Sequence, residues 1–548
     1  MHAGDDDGDD TGTATLALSA PSSWVPQHGS ASIAFTVART TAMGALTVHV
    51  AGLPAGVTAD DVALDAAATS GTLVVAASDA AVLGSTTPVM VELDAGTSAL
   101  DTRPFAVMVS GAPGTVDTTW GDNGIRVLQL PDPVVGLAIG SAAARVIAQY
   151  PASAGADAGK IVVAADLITT GTSSTNIKRV AIARFDVDGT PDTSFGGGTG
   201  YALLDPGDSV QLLPVAVAID SKGRIVVAST RFDSASQCFN NVMRVTAAGV
   251  KDPAFTTYDE NPPGGFCGRT EGMAILAGDK IEIVGFWNNP DTSQLPILIQ
   301  LNDDGSRDTT AFNGTYVLRM PNPDTTKPVL APYELVVDHH GNFVMPGFRC
   351  DGSYNSSNNY TSCESLVARI TPAGAWDITF GPTNRGYSSL VFGTTPVPNV
   401  SVQAFYGVAI DGTDHVVAAG WTESATAGAI ARFDDTGALD TSFAGSGRVT
   451  PALVTGATNQ SMSDVVIDSA GRIVVVGNAS NGGPLLMTAR LSASGVVDQS
   501  YGDHGVSAVP TLGVTPRAVL QTDGRLVASG AFARTGGGYD LALWRFWP

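Results

Sequence analysis

Basic residues are scarce in this 548-residue chain, with 29 Lys and Arg against 52 Asp and Glu, a formal net charge of −23. Such a surface repels phosphate backbones and anionic headgroups, so nucleic acid is not an expected partner. No apolar run reaches the roughly 18 residues that a membrane helix needs, and the first residues lack the basic and apolar regions of a signal peptide, so the reading is of a mature or trimmed form. Cysteine is limited to Cys238, Cys267, Cys350 and Cys363, with pair spacings of 29 and 13 that fit no zinc pattern. HExxH, GxSxG, SxxK and Gly-rich phosphate loops are all missing, which leaves nucleophilic, nucleotide and zinc-hydrolase chemistry without a motif. Helical periodicity is nearly absent.

What fills the chain is turn and β chemistry, with 63 Gly and 31 Pro. A unit of about sixty residues recurs. Its first half is strand, turn, strand, as in VAIDSKGRIVVAS (217–229), VVIDSAGRIVVVG (465–477) and AVLQTDGRLVASG (518–530). The aligned apolar anchors are Ile161, Ile225, Ile281, Phe343, Val416, Ile473 and Leu526, which makes seven units. The second half is a third strand, a Gly turn and a D-x-x-aromatic knot, as in AIARFDVDGTPDTSFG (181–196). Arg184, Arg244, Gln300, Arg369, Arg432 and Arg490 are each followed eight residues later by Asp192, Asp252, Asp308, Asp377, Asp440 and Asp498. A group needed at one site has no reason to recur in every unit, so the Arg–Asp pairs are read as struts that pin the third strand to the knot.

Four strands per unit is the length of a propeller blade. The seventh unit stops at LALWRFWP (541–548) without a knot, and the missing piece, DTTWGDNGIRVLQL, lies at 117–130. The N-terminal segment is therefore expected to complete the last blade and remove open strand edges. The pattern resembles the delta-sixty repeat proteins over residues 117–548. That resemblance implies a propeller-like, usually exported bacterial protein and no shared activity. Units three and four depart most, with Gln300 for Arg, an extra residue in DTTAF and Pro346 inside a strand.

Ahead of the repeats, short alternating strands such as ATLALSA, ASIAFTVA and FAVMVSG predict a sandwich over 12–112. GLPAGVTADDVAL (52–64) resembles the Ig-like or fibronectin-like modules of bacterial exoproteins. Residues 1–11, with GDDDGDD at 4–10, have nothing to bury and read as a disordered acidic tether. This segment resembles the tether after the lipidated cysteine of bacterial lipoproteins, which points to a surface lipoprotein or a secreted protein. The expected fold is thus all-β, an Ig-like β-sandwich followed by a seven-bladed β-propeller over 113–548 with the last blade closed by both chain ends, in a monomer.

An even cysteine count in polar loops favours two disulfides, Cys238 with Cys267 and Cys350 with Cys363, and an oxidising compartment, with free thiols as the alternative. The acidic turns at 186–189, 302–305 and 434–437 lack the later Glu of a calcium loop, and Asx-turns explain them without metal. Calcium is the one cofactor they leave open; otherwise none is expected. None of the seven histidines has a ligand spacing.

The antiparallel path puts all knots on one face and the variable loops, with every cysteine, on the other. Aromatics gather there, Phe286 and Trp287, Phe348 with Arg349, and Trp421, joined by Tyr354 and Tyr360 of the loop between Cys350 and Cys363. They are read as a platform for a glycan or protein ligand, against packing beneath their own loops. Glu334, Asp464 and Arg517 occupy equivalent first-strand positions at the channel mouth, each nine residues before its anchor. The leading expectation is a non-enzymatic surface or secreted binding module. A glycan-processing hydrolase or lyase using the channel carboxylates is the alternative, and a structural surface component is a third.

Overall fold

The computed structural model describes residues 13–40, 44–130, 138–170, 177–204, 211–233, 237–261, 268–288, 294–314, 329–350, 363–382, 384–392, 403–422, 427–512, 514–535 and 537–548. The expected tether at 1–11 lies outside them. The described chain is all-β, its helical pieces being four short 3-10 turns. It divides into two compact units, Met1–Thr119 with Trp547–Pro548, and Trp120–Phe546.

In the first unit one sheet holds Ala14–Leu18, Gly29–Arg39, Ser70–Ala77 and Val57–Ala59 in that order, and a second holds Ser22–Pro26, Ser98–Ser110, Thr86–Ala95, Leu46–Ala51 and Val62–Leu64. Alternation drives the packing: Gly29–Arg39 buries Ile33, Phe35 and Val37 and exposes the residues between them. These side chains share one core with Val48, Leu73, Val91 and Val107 from the neighbouring strands. The C-terminal dipeptide belongs here. Trp547 exchanges backbone hydrogen bonds of 2.9 Å with Gly114 and Thr115 and packs edge-on against Trp24, centroids 5.5 Å apart.

The second unit is a succession of antiparallel sheets. All seven sequence anchors open strands: Ile161–Thr170, Ile225–Phe232, Ile281–Asn288, Phe343–Cys350, Val416–Trp421, Ile473–Ser480 and Leu526–Ala533. Each lies between the first and third strands of its own repeat. Sheets of four strands form around the anchors Ile225, Val416 and Ile473. Two sheets of eight arise where single parallel bridges, Ser141 to Tyr539 and Gln294 to Val329, join neighbouring repeats. Because both faces of these strands are apolar, they read as continuous buried runs and need cover on each side. That cover is the next repeat, since each core cluster mixes side chains of consecutive repeats. One cluster combines Val527, Leu541 and Leu543 of the seventh repeat with Ile161, Val163 and Ala181 of the first.

The two ends of the repeat region meet as the sequence pattern requires: Ile125–Leu128 runs antiparallel to Tyr539–Phe546, with Ile125 opposite Trp544 and Leu128 opposite Leu541. The knots explain the recurrent residues. Arg184 Nε lies 2.6 Å from Asp192, Arg244 2.8 Å from Asp252 and Arg369 2.7 Å from Asp377, while each guanidinium covers an aromatic ring, Phe195, Phe255 and Phe380. The same arginines donate to turn carbonyls of the following repeat: Arg184 to Ala247, Arg244 to Asp303, Arg369 to Asp435, and Arg545 of the last repeat to Val187 of the first. The turn glycine allows this approach. Gly189 has a φ of 83°, and any Cβ there would stand 2.4 Å from the Trp120 indole.

Candidate functional site

First strands carry β-bulges between Ala144 and Val146, Pro214 and Ala216, Thr270 and Gly272, Phe405 and Gly407, and Met462 and Asp464. A bulge inserts one residue and re-aims its neighbours. These strands surround a cavity of about 270 Å³ that all seven repeats line, through Val146, Val215, Glu271, Glu334, Val408, Asp464 and Arg517. The strands approach closely. A Cβ on Gly407 would lie 2.6 Å from the Asp464 backbone.

The three first-strand residues singled out by alignment converge here. Arg517 Nη1 is 3.1 Å from Glu334 and 3.8 Å from Asp464. Glu334 also accepts the Val408 N–H at 3.1 Å, and Asp464 those of Ala518 at 2.7 Å and Val465 at 2.8 Å. Each acid thus straps its strand to the next repeat. Burial pushes the Glu334 carboxyl up to about 7 against the pull of Arg517, with the Asp464 charge adding to the rise, and burial likewise raises Asp464. The cavity admits water, so the Glu334 side chain retains 26% exposure although protein surrounds it.

One residue earlier in the same strands lies a second layer that the alignment missed. Arg145, Glu271, Tyr333 and Tyr406 line an adjoining cavity of about 200 Å³ with Arg269, Thr515 and Arg517. Tyr333 and Tyr406 stack at 4.3 Å. Burial pushes Glu271 up to about 7, with Arg269 and Arg517 opposing the rise, and it has no hydrogen-bond partner among the described residues. The available signal was position: Glu271, Tyr333 and Tyr406 stand ten residues before their anchors, where the bulge turns an extra side chain inward.

A third cavity of about 210 Å³ shares Tyr406 and Thr515 with the second and adds Trp421, Asn459, Ser461, Ser463 and Asn478. The Trp421 Nε1 and Asn478 Oδ1 atoms are buried without a hydrogen-bond partner among the described residues, a costly state for polar atoms.

The expected aromatic platform needs correction. Phe286, Phe348 and Arg349 are 6%, 5% and 8% exposed, and the two rings pack in one apolar cluster with Val329, Ala331 and Cys350. The paired strands bury these rings, so they offer no face to solvent. Trp421 and Tyr406 are half-buried against that cluster, and Trp287 is half-buried in a neighbouring one. Tyr354 and Tyr360 lie outside the described residues. Cys350 and Cys363 stand opposite each other in register and form a disulfide; Cys238 is also disulfide-bonded, while Cys267 lies outside the described residues.

The acidic turns act as Asx-turns: Asp188, Asp304 and Asp434 accept the N–H groups of Thr190, Ser306 and Thr436. Among the described residues two clusters carry metal-ligand side chains, His49 with Glu92 and Asp94, and Asp220 with Asp279 and Asp303. Lys222, Arg224 and Arg244 already neutralise the second.

Residues 159–195, 413–443 and 521–548 match a family model described as "Domain of unknown function (DUF5122) beta-propeller", which supports a β-propeller family. No curated protein matches. Among solved structures, a protein of unknown function from Dyadobacter fermentans is 12% identical with a TM-score of 0.38, covering 77% of this chain and 98% of that one. The Hadza microbial sialidase Hz136 is 10% identical with a TM-score of 0.33, covering 76% of each chain. An exo-beta-1,3-galactanase from Clostridium thermocellum is 11% identical with a TM-score of 0.22, covering 77% and 97%. These likenesses bear on no residue of the cavities.

Proposed function

We propose that this chain is an exported, non-enzymatic glycan-binding protein in which an Ig-like sandwich carries a closed seven-bladed β-propeller whose inner strands form the binding site. Seven anchor strands, one cavity lined by seven repeats and the core shared by the last repeat with the first support the closed ring. The disulfide fits an oxidising compartment.

The cavity holding Trp421 carries the reading. Sugars present apolar ring faces and hydroxyl edges, which call for aromatic walls with fixed polar partners. Trp421 and Tyr406 supply walls, and Asn459, Ser461, Ser463 and Asn478 supply polar groups along the same lining. Burial of Phe286 and Phe348 removes the flat patch that a protein ligand would use. On a glycan array, Trp421→Ala should weaken the parent's binding by about tenfold or more. Unchanged binding, or no binding by the parent, would remove the glycan reading.

A second reading has one observation in its favour: Glu271 and Glu334 titrate at about 7, in the range of a general acid. Against it, Glu334 and Asp464 are committed to Arg517 and to backbone N–H groups.

A further inference from the structure

We propose that the cavity beside the Trp421 pocket is an anion subsite, and that the ligand is an acidic glycan whose carboxylate lies among Arg145, Arg269 and Arg517. This rests on the glycan reading above and names its ligand class. Arginines from three different repeats line this one cavity, apart from the knot arginines that pair with the knot aspartates. Arg145 reaches Asp166 at 2.9 Å, and its Nε is buried without a partner among the described residues. Arg517 is held by Glu334 at 3.1 Å. Arg269 is exposed and forms no ion pair among the described residues. A carboxylate is the group that fits planar guanidinium forks.

Continuity with the sugar pocket is built in, because Tyr406 and Thr515 line both cavities. A ring beside Trp421 can therefore extend a charged substituent towards Arg269. Glu271 adds a proton linkage. It shares the cavity with Arg145, Arg269, Arg517, Tyr333 and Tyr406, and the adjoining one with Glu334 and Asp464. Protonated, its carboxyl donates to a bound carboxylate; ionised, it repels one.

The test uses the whole chain and matched probes that differ only in charge, namely oligogalacturonate against its methyl ester and sialyllactose against lactose. At about pH 5.5 the acidic member of at least one pair should bind about tenfold tighter, and the advantage should shrink by about pH 8.5 as Glu271 ionises. Arg269→Gln should abolish the advantage, and Glu271→Gln should flatten the pH dependence. Equal binding within both pairs, or an advantage that survives Arg269→Gln, overturns the subsite. If only neutral glycans bind and do so through Trp421, the subsite fails while the glycan reading stands. If no glycan binds, both fail.

Discussion

Glu282 shows how a single residue departs from a repeated pattern. In six repeats a valine faces the knot arginine across the central strand pair, as Val162 faces Arg184, Val226 faces Arg244 and Val344 faces Arg369. In the third, Glu282 faces Gln300, which donates to it at 3.0 Å, and Lys280 takes over the Asp308 contact at 2.6 Å. Glu282 is fully buried, its Oε1 has no partner among the described residues, and burial pushes its pKa up to about 8, the Asp308 charge adding to the rise and Gln300 opposing it. A carboxyl with a raised folded pKa stabilises the fold fully below the unfolded value, and that contribution is lost as pH rises towards about 8. Glu282→Gln should therefore leave stability near pH 4 little changed and raise it at about pH 8 by about 1–3 kcal/mol, read as a Tm difference between the two pH values. An equal Tm change at both pH values would refute this. The replacement of Arg by Gln was visible in the sequence. Its consequence was not, because only the strand register puts Glu282 opposite it.

At the level of the element, the knot is a strut shared by two repeats. Arg369 pairs with Asp377, covers Phe380 and donates 2.7 Å to the Asp435 carbonyl of the next repeat. Burial raises Asp377, but the Thr379 hydroxyl and N–H together with Arg369 outweigh it and hold the carboxyl below its usual range. A depressed folded pKa means stability that is present above about pH 4 and lost as pH falls. Arg369→Met leaves a buried, unpaired carboxylate and should cost about 3–5 kcal/mol in urea unfolding. Adding Asp377→Asn should recover part of the loss, and a double variant no better than the single would show that the pair itself is not the strut. The eight-residue Arg-to-Asp spacing was legible because it recurs. The first-strand bulges were not, since a bulge leaves no composition signal, so the repeat spacing marks Glu334, Asp464 and Arg517 but not Glu271 and Tyr406 one position earlier.

For the whole molecule, the C-terminal strand is structural. The strand Tyr539–Phe546 lies between Leu526–Ala533 and Ile125–Leu128, and Trp547 is seated in the first unit. A chain ending at Gly538 exposes two strand edges and opens the core that the seventh repeat shares with the first. Calorimetry should then show loss of the cooperative transition of residues 120–546, or its shift down by more than about 10 °C. An unaltered transition would mean that the C-terminal strand does not hold the unit together.

By itself the sequence determined the all-β class, the number of repeats, the strand that begins each central pair and the pairing of the two ends of the repeat region. These are properties of period and pattern, and a motif repeated seven times leaves little freedom in how its strands align. Tertiary structure alone decided which side chains face one another around the inner strands. It buried Phe286 and Phe348, which the loop pattern had presented to solvent, and it gathered Arg145, Arg269, Glu271 and Tyr406 around one cavity. The reason is physical: contacts within a strand pair follow from residue spacing, whereas convergence on a common cavity depends on bulges and on the closeness of strands far apart in the chain.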